Sequence, residues 1–172
     1  FLREHLFMLE LKKYRPLGNP HKFLESLFDY FSRLKDEDID PKTYHQFTKS
    51  LKRNKKQDDA DYKQHLELAR AYERYQTLKQ KKQVLDFGDL QYYLLQLFRE
   101  RRAILQKYRR QFKYVMIDEF QDTNIAQFEL IKLLCPSNLT PRLTVVGDDS
   151  QAIYKFRGAS ISNILSFMNT YK

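Results

Sequence analysis

The sequence is poor in the residues that mark secreted and membrane-spanning proteins. Its 172 residues include one cysteine, no tryptophan, four glycines and five prolines. The single cysteine, Cys135, excludes an intrachain disulfide and favours a reducing compartment, so we expect a cytoplasmic protein. Because Cys135 ends an apolar run, we expect a buried structural thiol rather than a nucleophile. No apolar stretch approaches the roughly 20 residues of a membrane helix, so no membrane partner is expected.

Positive charge is concentrated in the first two thirds of the chain. The net charge is +9; residues 1–111 hold 25 Lys and Arg against 16 Asp and Glu, whereas residues 112–172 hold six of each. This asymmetry predicts a part that faces a polyanion beside a part that carries chemistry. A lysine-rich helical surface that is merely solvated has the same asymmetry, so composition alone leaves both interpretations open.

Helical periodicity runs through residues 1–111, and four helices are predicted there. Two begin with a proline in the first turn, a position that suits its fixed φ, and two carry apolar stripes at helical spacing. The predicted helices are Pro20–Lys35, Pro41–Arg53, Asp59–Gln83, which has Leu68, Tyr72 and Tyr75 on one face, and a helix from Phe87, which has Leu90, Tyr93, Leu94, Leu97 and Phe98 on one face.

The pattern changes at Phe112. Tyr114–Ile117 and Leu143–Val146 are short apolar runs of strand type, and Asn124–Cys135 between them has helical periodicity. Strand, helix and strand in this order predict a βαβ unit, whose two strands lie parallel and buried in one sheet. Each run ends in acidic residues, so we expect both acidic clusters at the edge where open α/β sheets place their ligands.

The first acidic cluster follows the first predicted strand and contains Asp118, Glu119 and Asp122. A carboxylate held at the end of a buried strand is suited to bind Mg²⁺ during phosphoryl transfer. The adjacent carboxylate can accept a proton from an attacking water. Two consecutive acids after an apolar strand therefore predict a Walker B-like site, although acids also end strands merely to cap the next helix.

The second cluster begins after the second predicted strand with Gly147, which permits a tight turn. The run that follows contains an amide that can contact a phosphate, Gln151, and a forked donor for phosphate or carboxylate, Arg157. Tyr154 and Phe156 flank a lysine, an arrangement suited to stacking nucleic-acid bases beside a backbone phosphate. Without the surrounding motif, a place in the hydrophobic core is the better interpretation of both rings.

Together the two segments resemble motifs II and III of superfamily 1 helicases of the UvrD/Rep type. Asp118–Asn124 is similar to the DE-aromatic-QDTN segment of that family, and Gly147–Ala159 to its GD-x-x-Q-[SA]-I-Y-x-[WF]-R-G-A segment. Leu85–Leu90 is more weakly similar to the DFDDL segment where the chain returns to the ATPase core. The resemblance implies an α/β fold with a mostly helical insertion subdomain over residues 1–84 and part of a parallel-sheet, RecA-like P-loop ATPase core over residues 85–172.

The resemblance also implies roles at a nucleotide site. Asp118 would bind Mg²⁺, Glu119 would activate the hydrolytic water, and Asp122 would support them. Gln151 would sense the γ-phosphate, and Arg157 would contact nucleotide and DNA and couple their sites. The implied cofactors are ATP and Mg²⁺, and the implied activity is that of an ATP-dependent 3′–5′ DNA helicase or translocase.

Single-stranded and duplex DNA are the implied partners. Tyr154 and Phe156 would stack on single-stranded bases, with Arg157 beside them. Two basic runs could contact duplex phosphates, namely Lys52–Lys56 and Lys79–Lys82. Such runs are usually just solvated, and only the resemblance favours the contact with DNA.

A phosphate loop of the form G-x-x-x-x-G-K-[ST] is missing, because glycines stand only at positions 18, 88, 147 and 158. The chain also does not begin with methionine. We therefore expect a fragment that carries half an active site, that has negligible ATPase activity alone, and that works with the remainder of the helicase chain.

Two other functions are compatible with parts of the sequence. One is a non-catalytic nucleic-acid-binding module built on the basic helices. The other is a metal-dependent nuclease, although it leaves the aromatic run after the second strand unexplained. Its two ions would be held by Asp118, Glu119, Asp122, Asp148 and Asp149.

We predict weak binding of single-stranded DNA through the helical region and the two aromatic rings. The affinity should fall as salt rises, because the basic residues release counterions from the phosphates. Replacing Tyr154 and Phe156 together by alanine should weaken binding, since base stacking contributes about 1–3 kcal/mol per base. A fluorescence anisotropy titration that gives the same affinity for both proteins would count against the stacking role.

Overall fold

The computed structural model describes residues 1–53, 59–138, 142–148 and 161–171. The chain forms two compact units, one of Phe1–Leu34 with Ile39–Asp86 and one of Lys35–Asp38 with Phe87–Lys172. The first is helical, and the second combines helices with a two-stranded parallel sheet. A mostly helical chain with a small parallel sheet agrees with the predicted α/β class.

The helices and strands follow the predicted order closely. In chain order they are α1 (Leu2–His5), a 3₁₀ turn (Leu6–Leu9), α2 (Leu24–Asp36), α3 (Pro41–Arg53), α4 (Asp59–Lys82), α5 (Phe87–Glu100), α6 (Arg102–Gln111), β1 (Val115–Ile117), a 3₁₀ turn (Phe120–Asp122), α7 (Ile125–Leu134), β2 (Leu143–Val145) and α8 (Ile161–Thr170). The predicted bounds of α3 are confirmed, whereas α2 begins four residues after Pro20, where the chain still forms turns. None of the described helices is long and apolar enough to cross a membrane.

The core of the first unit is built on aromatic rings. Phe31 of α2 stacks on Tyr72 and Tyr75 of α4, with ring centroids 5.4 and 5.3 Å apart. All three rings are buried, as is Leu68, so the predicted apolar stripe of α4 is confirmed. Buried rings of this size remove large apolar areas from water and therefore dominate the packing of the unit.

The basic run at the end of α4 is not wholly available to phosphates. Lys79 is 2% exposed, and its ammonium lies 2.7 Å from a carboxylate oxygen of Asp86. Tyr75 donates a hydrogen bond to the same oxygen. The assignment of Lys79 to DNA contact is therefore wrong, because a buried ammonium is retained for its ion pair. The other basic run extends outside the described residues.

The buried face of α5 differs from the predicted stripe. Leu95 and Phe98 are buried, but Leu90 and Leu97 are exposed. The difference has an electrostatic cause, because Asp89 is fully buried and its carboxylate lies 2.9 Å from the ammonium of Lys35, itself 1% exposed. A buried charge requires a partner, so this ion pair directs Asp89 inward and turns part of the apolar stripe toward solvent.

The predicted βαβ unit is confirmed. β1 and β2 are parallel neighbours, in a register that pairs Val115 with Leu143 and Ile117 with Val145, and α7 connects them. The apolar sequences predicted strands that are buried on both faces. The described residues do not show this. Met116 is 76% exposed, whereas Ile117 and Val145 pack on the core of the second unit. Among the described residues that core lies against one face of the sheet, which explains the difference.

Cys135 is buried at the end of α7, as predicted. Burial raises the pKa of its thiol, and the nearby Arg109 opposes this effect. A thiol that stays protonated is a poor nucleophile. The hydroxyl of Tyr171 donates a hydrogen bond of 2.7 Å to the carbonyl of Cys135, and burial raises the pKa of Tyr171 to about 12. Both groups therefore serve packing.

Removing one partner of the buried ion pair should destabilise the protein strongly. Asp89→Ala leaves the ammonium of Lys35 buried without its carboxylate, and we expect a loss of about 3–5 kcal/mol in the free energy of unfolding. The double change Lys35→Met with Asp89→Leu should recover most of this loss. Chemical denaturation measures both values.

The control is Asp59→Ala, which removes an exposed pair with Lys63 at 74% and 71% side-chain exposure. It should change stability by less than about 1 kcal/mol. An Asp89→Ala loss as small as that of the control would contradict the structural importance of the buried pair.

Candidate functional site

The loops that follow β1 and β2 are hydrogen-bonded to each other. The N–H of Val146 donates to the carbonyl of Ile117 at 2.8 Å, and the N–H of Phe120 donates to the carbonyl of Val146 at 2.9 Å. Parallel pairing thus continues past the last strand residues and holds the two loops next to each other. The expectation that the two strand ends are adjacent is confirmed.

Phe120 anchors the loop after β1. Its side chain is 3% exposed and meets the rings of Phe128 and Phe167 at centroid distances of 5.6 and 5.3 Å, both nearly edge to face. Such aromatic pairs add directional attraction to the burial of the ring. Because Phe120 points into the core, the preceding acids, Asp118 and Glu119, remain at the surface.

The backbone bends sharply at Glu119. Its φ of 49° and ψ of 47° lie in the left-handed region, which costs a residue with a side chain roughly 1–2 kcal/mol. The Oδ1 atom of Asp118 accepts the N–H of Glu119 at 2.9 Å and helps to hold this bend. Strained backbone of this kind is found repeatedly at functional sites.

Asp118 has the chemistry of a magnesium ligand. Its carboxylate is exposed, and among the described residues only its Oδ1 atom is engaged in a hydrogen bond. Mg²⁺ prefers hard oxygen ligands and keeps several waters, so one accessible carboxylate is a suitable protein contribution. Asp118 therefore fits the ion that the resemblance implies.

Asp122 lies in the 3₁₀ turn after Glu119, and its N–H donates to the Glu119 carbonyl at 2.9 Å. Its Oδ1 atom is buried and has no hydrogen-bond partner within the described part of the chain. The structure thus places Asp122 beside the other acids of the first cluster without showing a contact through which its carboxylate supports them.

Gln121 was not singled out by the sequence analysis. Its side chain is 2% exposed, its Nε2 donates to Oε2 of Glu119 at 2.6 Å, and its Oε1 accepts the N–H of Asp148 at 3.0 Å. A Cβ atom added to Gly147 would lie 2.7 Å from the same Oε1. Gly147 therefore permits this close approach, whereas its predicted role in a tight turn stays a prediction.

Asn124 begins α7 and links it to two further segments of the second unit. Its Oδ1 accepts the N–H of Gln127, and Oε1 of Gln127 accepts the N–H of Asn124, which completes a capping box. The Nδ2 of Asn124 donates to Asp36 at 2.8 Å and to Gln91 at 3.1 Å. The cap could be predicted from the residue type, but these partners are distant in sequence.

Asn163 of α8 binds the backbone that joins the loop after β1 to α7. Its Nδ2 donates to the carbonyls of Thr123 and Asn124, each at 3.0 Å, and the residue is 2% exposed. The carbonyl of Asn124 also accepts the N–H of Phe128 at 3.1 Å, so within the described residues the contact with Thr123 is the one that pairs an otherwise unpaired buried carbonyl. No sequence signal identified Asn163, because an asparagine inside a helix has no characteristic spacing to its partners.

Four residues predicted for the nucleotide and DNA contacts lie outside the described residues, as does Asp149 of the nuclease interpretation. Within the described ranges no three His, Cys, Asp or Glu side chains are grouped so that they could hold a metal ion. Of the residues predicted for the nucleotide site, the structure describes Asp118, Glu119 and Asp122, which all lie in the loop after β1, and Asp148 of the nuclease interpretation lies in the loop after β2. The four predicted residues that lie outside the described ranges are Gln151, Tyr154, Phe156 and Arg157.

Comparison with known proteins assigns nearly the whole chain to one family. The family described as the UvrD/REP helicase N-terminal domain matches residues 4–172. The chain is 32% identical to DNA helicase II of Haemophilus influenzae over 169 residues, 95% of this chain and 21% of that protein.

Two further relatives match a shorter part of the chain. It is 50% identical to a probable DNA helicase II homolog of Mycoplasma capricolum over 100 residues, 58% of this chain and 14% of the relative. It is 44% identical to the ATP-dependent DNA helicase PcrA of Staphylococcus epidermidis over 104 residues, 60% of this chain and 14% of the relative. The chain thus spans between a seventh and about a fifth of the length of these curated relatives.

Asn163→Leu should destabilise the protein, because it leaves the buried carbonyl of Thr123 without its donor and removes one of the two donors to the carbonyl of Asn124. We expect a loss of about 1–3 kcal/mol in the free energy of unfolding, measured by chemical denaturation. The control, Asn138→Leu, makes the same change at an exposed position after α7 and should stay within about 0.5 kcal/mol. Equal effects of the two changes would show that the buried contacts add no stability.

Proposed function

Since this chain belongs to the UvrD/Rep helicase N-terminal domain family, we propose that it is part of the motor of an ATP-dependent DNA helicase. The proposal concerns the whole protein. The relatives named DNA helicase II and PcrA are several times longer than this chain. The observation that carries it is the pairing of two strand ends, which brings Asp118 and Glu119 beside the loop of Gly147. Open α/β sheets bind their ligands at such an edge.

In this proposal the second unit is part of a RecA-like ATPase core. Asp118 is the Mg²⁺ ligand, because its carboxylate is accessible at the end of β1. The ion that Asp118 would hold would supply positive charge beside the phosphates of ATP. Glu119 is the group that accepts a proton from the attacking water. Asp122 supports the two acids from the adjoining 3₁₀ turn.

The remaining roles rest on similarity of sequence. Gln151 senses the γ-phosphate, and Arg157 contacts nucleotide and DNA and couples their sites. Tyr154 and Phe156 stack on single-stranded DNA, since aromatic faces bind bases without regard to sequence. Movement in the 3′–5′ direction is likewise proposed from the family.

Replacing the two acids in the complete protein tests the nucleotide site. Glu119→Gln should lower the kcat of DNA-stimulated ATP hydrolysis by about 10²–10⁴-fold, because the variant cannot accept the proton of water. Nucleotide binding should change little. Asp118→Asn should weaken Mg²⁺-dependent nucleotide binding and hydrolysis together. ATP hydrolysis and binding of a fluorescent ATP analogue at several Mg²⁺ concentrations measure these effects.

The matched control is Glu129→Gln, an isosteric change at a carboxylate paired with Lys132 on α7. It should leave both measurements within about twofold of the parent protein, since the pair contributes little beyond its own helix. Full ATPase activity in Glu119→Gln would contradict the proposed role of that carboxylate. DNA cleavage that requires Mg²⁺ or Mn²⁺ and is abolished by Asp118→Asn would favour a nuclease instead.

A further inference from the structure

We propose that Gln121 is a positioning residue, which holds the Glu119 carboxylate in its working orientation and ties it to the loop after β2. This role deepens the proposed function and rests on it. Gln121 has no assigned part in the binding of nucleotide or DNA. It would act through Glu119, whose carboxylate it contacts, and not on the substrate itself.

The amide of Gln121 has two different partners. Its Nε2 donates to Oε2 of Glu119 at 2.6 Å, and its Oε1 accepts the N–H of Asp148 at 3.0 Å. A side-chain amide offers a donor and an acceptor on two separate atoms at one end, so it can bond both partners at once. Because the donor bond ends on a carboxylate, it is stronger than a bond between neutral groups.

Burial makes this amide a rigid support. Gln121 is 2% exposed, whereas Glu119 is at the surface. An exposed glutamate normally samples several rotamers, and ordering it requires a fixed partner. Gln121 supplies that partner through Oε2, and the other carboxylate oxygen, Oε1, has no hydrogen bond within the described residues and stays available to an attacking water.

Gly147 is adapted to the same contact. A Cβ atom at this position would lie 2.7 Å from Oε1 of Gln121 and 3.2 Å from the N and Cβ atoms of Phe120. Real Cβ atoms do not approach an oxygen so closely, so a side chain at Gly147 would displace the amide. The two loops therefore fit each other through Gln121 on one side and a missing side chain on the other.

A consequence is that Gln121 links Glu119 to the backbone at the start of the second cluster. Asp148 is the second residue of that cluster. A shift of its N–H would move the acceptor side of the amide, and the donor side would move with it, because the amide is planar and rigid. The orientation of Glu119 would thus report the position of the loop after β2.

The test compares two variants in the complete protein. Gln121→Met keeps the length of the side chain but removes donor and acceptor, and Gln121→Glu keeps the acceptor while placing a second carboxylate against Glu119. Both should lower the kcat of DNA-stimulated ATP hydrolysis by about 10–100-fold, the order expected when a reacting group is misplaced by about 1 Å. The dissociation constant of a fluorescent ATP analogue should stay within about twofold.

Hydrogen exchange separates the two contacts. Peptides that contain the Asp148 N–H should exchange faster in Gln121→Met, whereas Gln121→Glu, which retains an acceptor oxygen, should keep the slow exchange of the parent. A residue with only a general structural role would lower kcat, nucleotide affinity and melting temperature together. Gly147→Ala, which leaves Gln121 in the chain, should reproduce the fall in kcat.

The control is Gln127→Glu, because it makes the same chemical change six residues later and keeps the oxygen that accepts the Asn124 N–H. It should leave kcat and exchange within about twofold of the parent protein. Parent activity that survives both Gln121→Met and Gly147→Ala would overturn the positioning role alone. A parent protein without DNA-stimulated ATPase activity would overturn the proposed function and this role together.

Discussion

The extension of strand pairing beyond β1 and β2 is the constraint from which the geometry of both acidic loops follows. Two backbone hydrogen bonds join the loops: Val146 to Ile117 at 2.8 Å, and Phe120 to Val146 at 2.9 Å. A backbone N–H or C=O group that is removed from water needs a hydrogen-bond partner. These two bonds therefore restrict the backbone of both loops. The loops are therefore held by the sheet itself, and the acidic side chains need only local contacts to be oriented.

Those local contacts are polar and come from several elements of the second unit. Gln121 bridges the two loops, Asn163 of α8 binds the carbonyls at the end of the turn, and Asn124 reaches Asp36 and Gln91. Gln121 and Asp118 contact Glu119, whose backbone is left-handed, and the other amides fix the turn that follows it. The core side of the loop is thus fixed, and its carboxylates are exposed.

Prediction from sequence succeeded where a pattern repeats locally. The stripe of α4, the bounds of α3, the order of β1, α7 and β2 and the burial of Cys135 depend on spacing and residue type, and all are confirmed. It failed at α5 and at Lys79, where a buried ion pair overrides the apolar pattern or removes a basic residue from the surface. Such pairs join residues such as Lys35 and Asp89, and no periodicity connects positions so far apart.

The sequence by itself determined the class of the fold, the parallel unit and the positions of the acids, because hydrophobic periodicity and the ends of apolar runs are properties of neighbouring residues. It also determined the family, through motifs that stand intact in the chain. Only the tertiary structure decided that Gln121 joins the loops after β1 and β2, that Asn163 and Asp36 contact the end of the first loop, and that a Cβ atom at Gly147 would displace the amide of Gln121. The reason is that an amide or a glycine has no meaning for function until the fold brings its partner within hydrogen-bond distance.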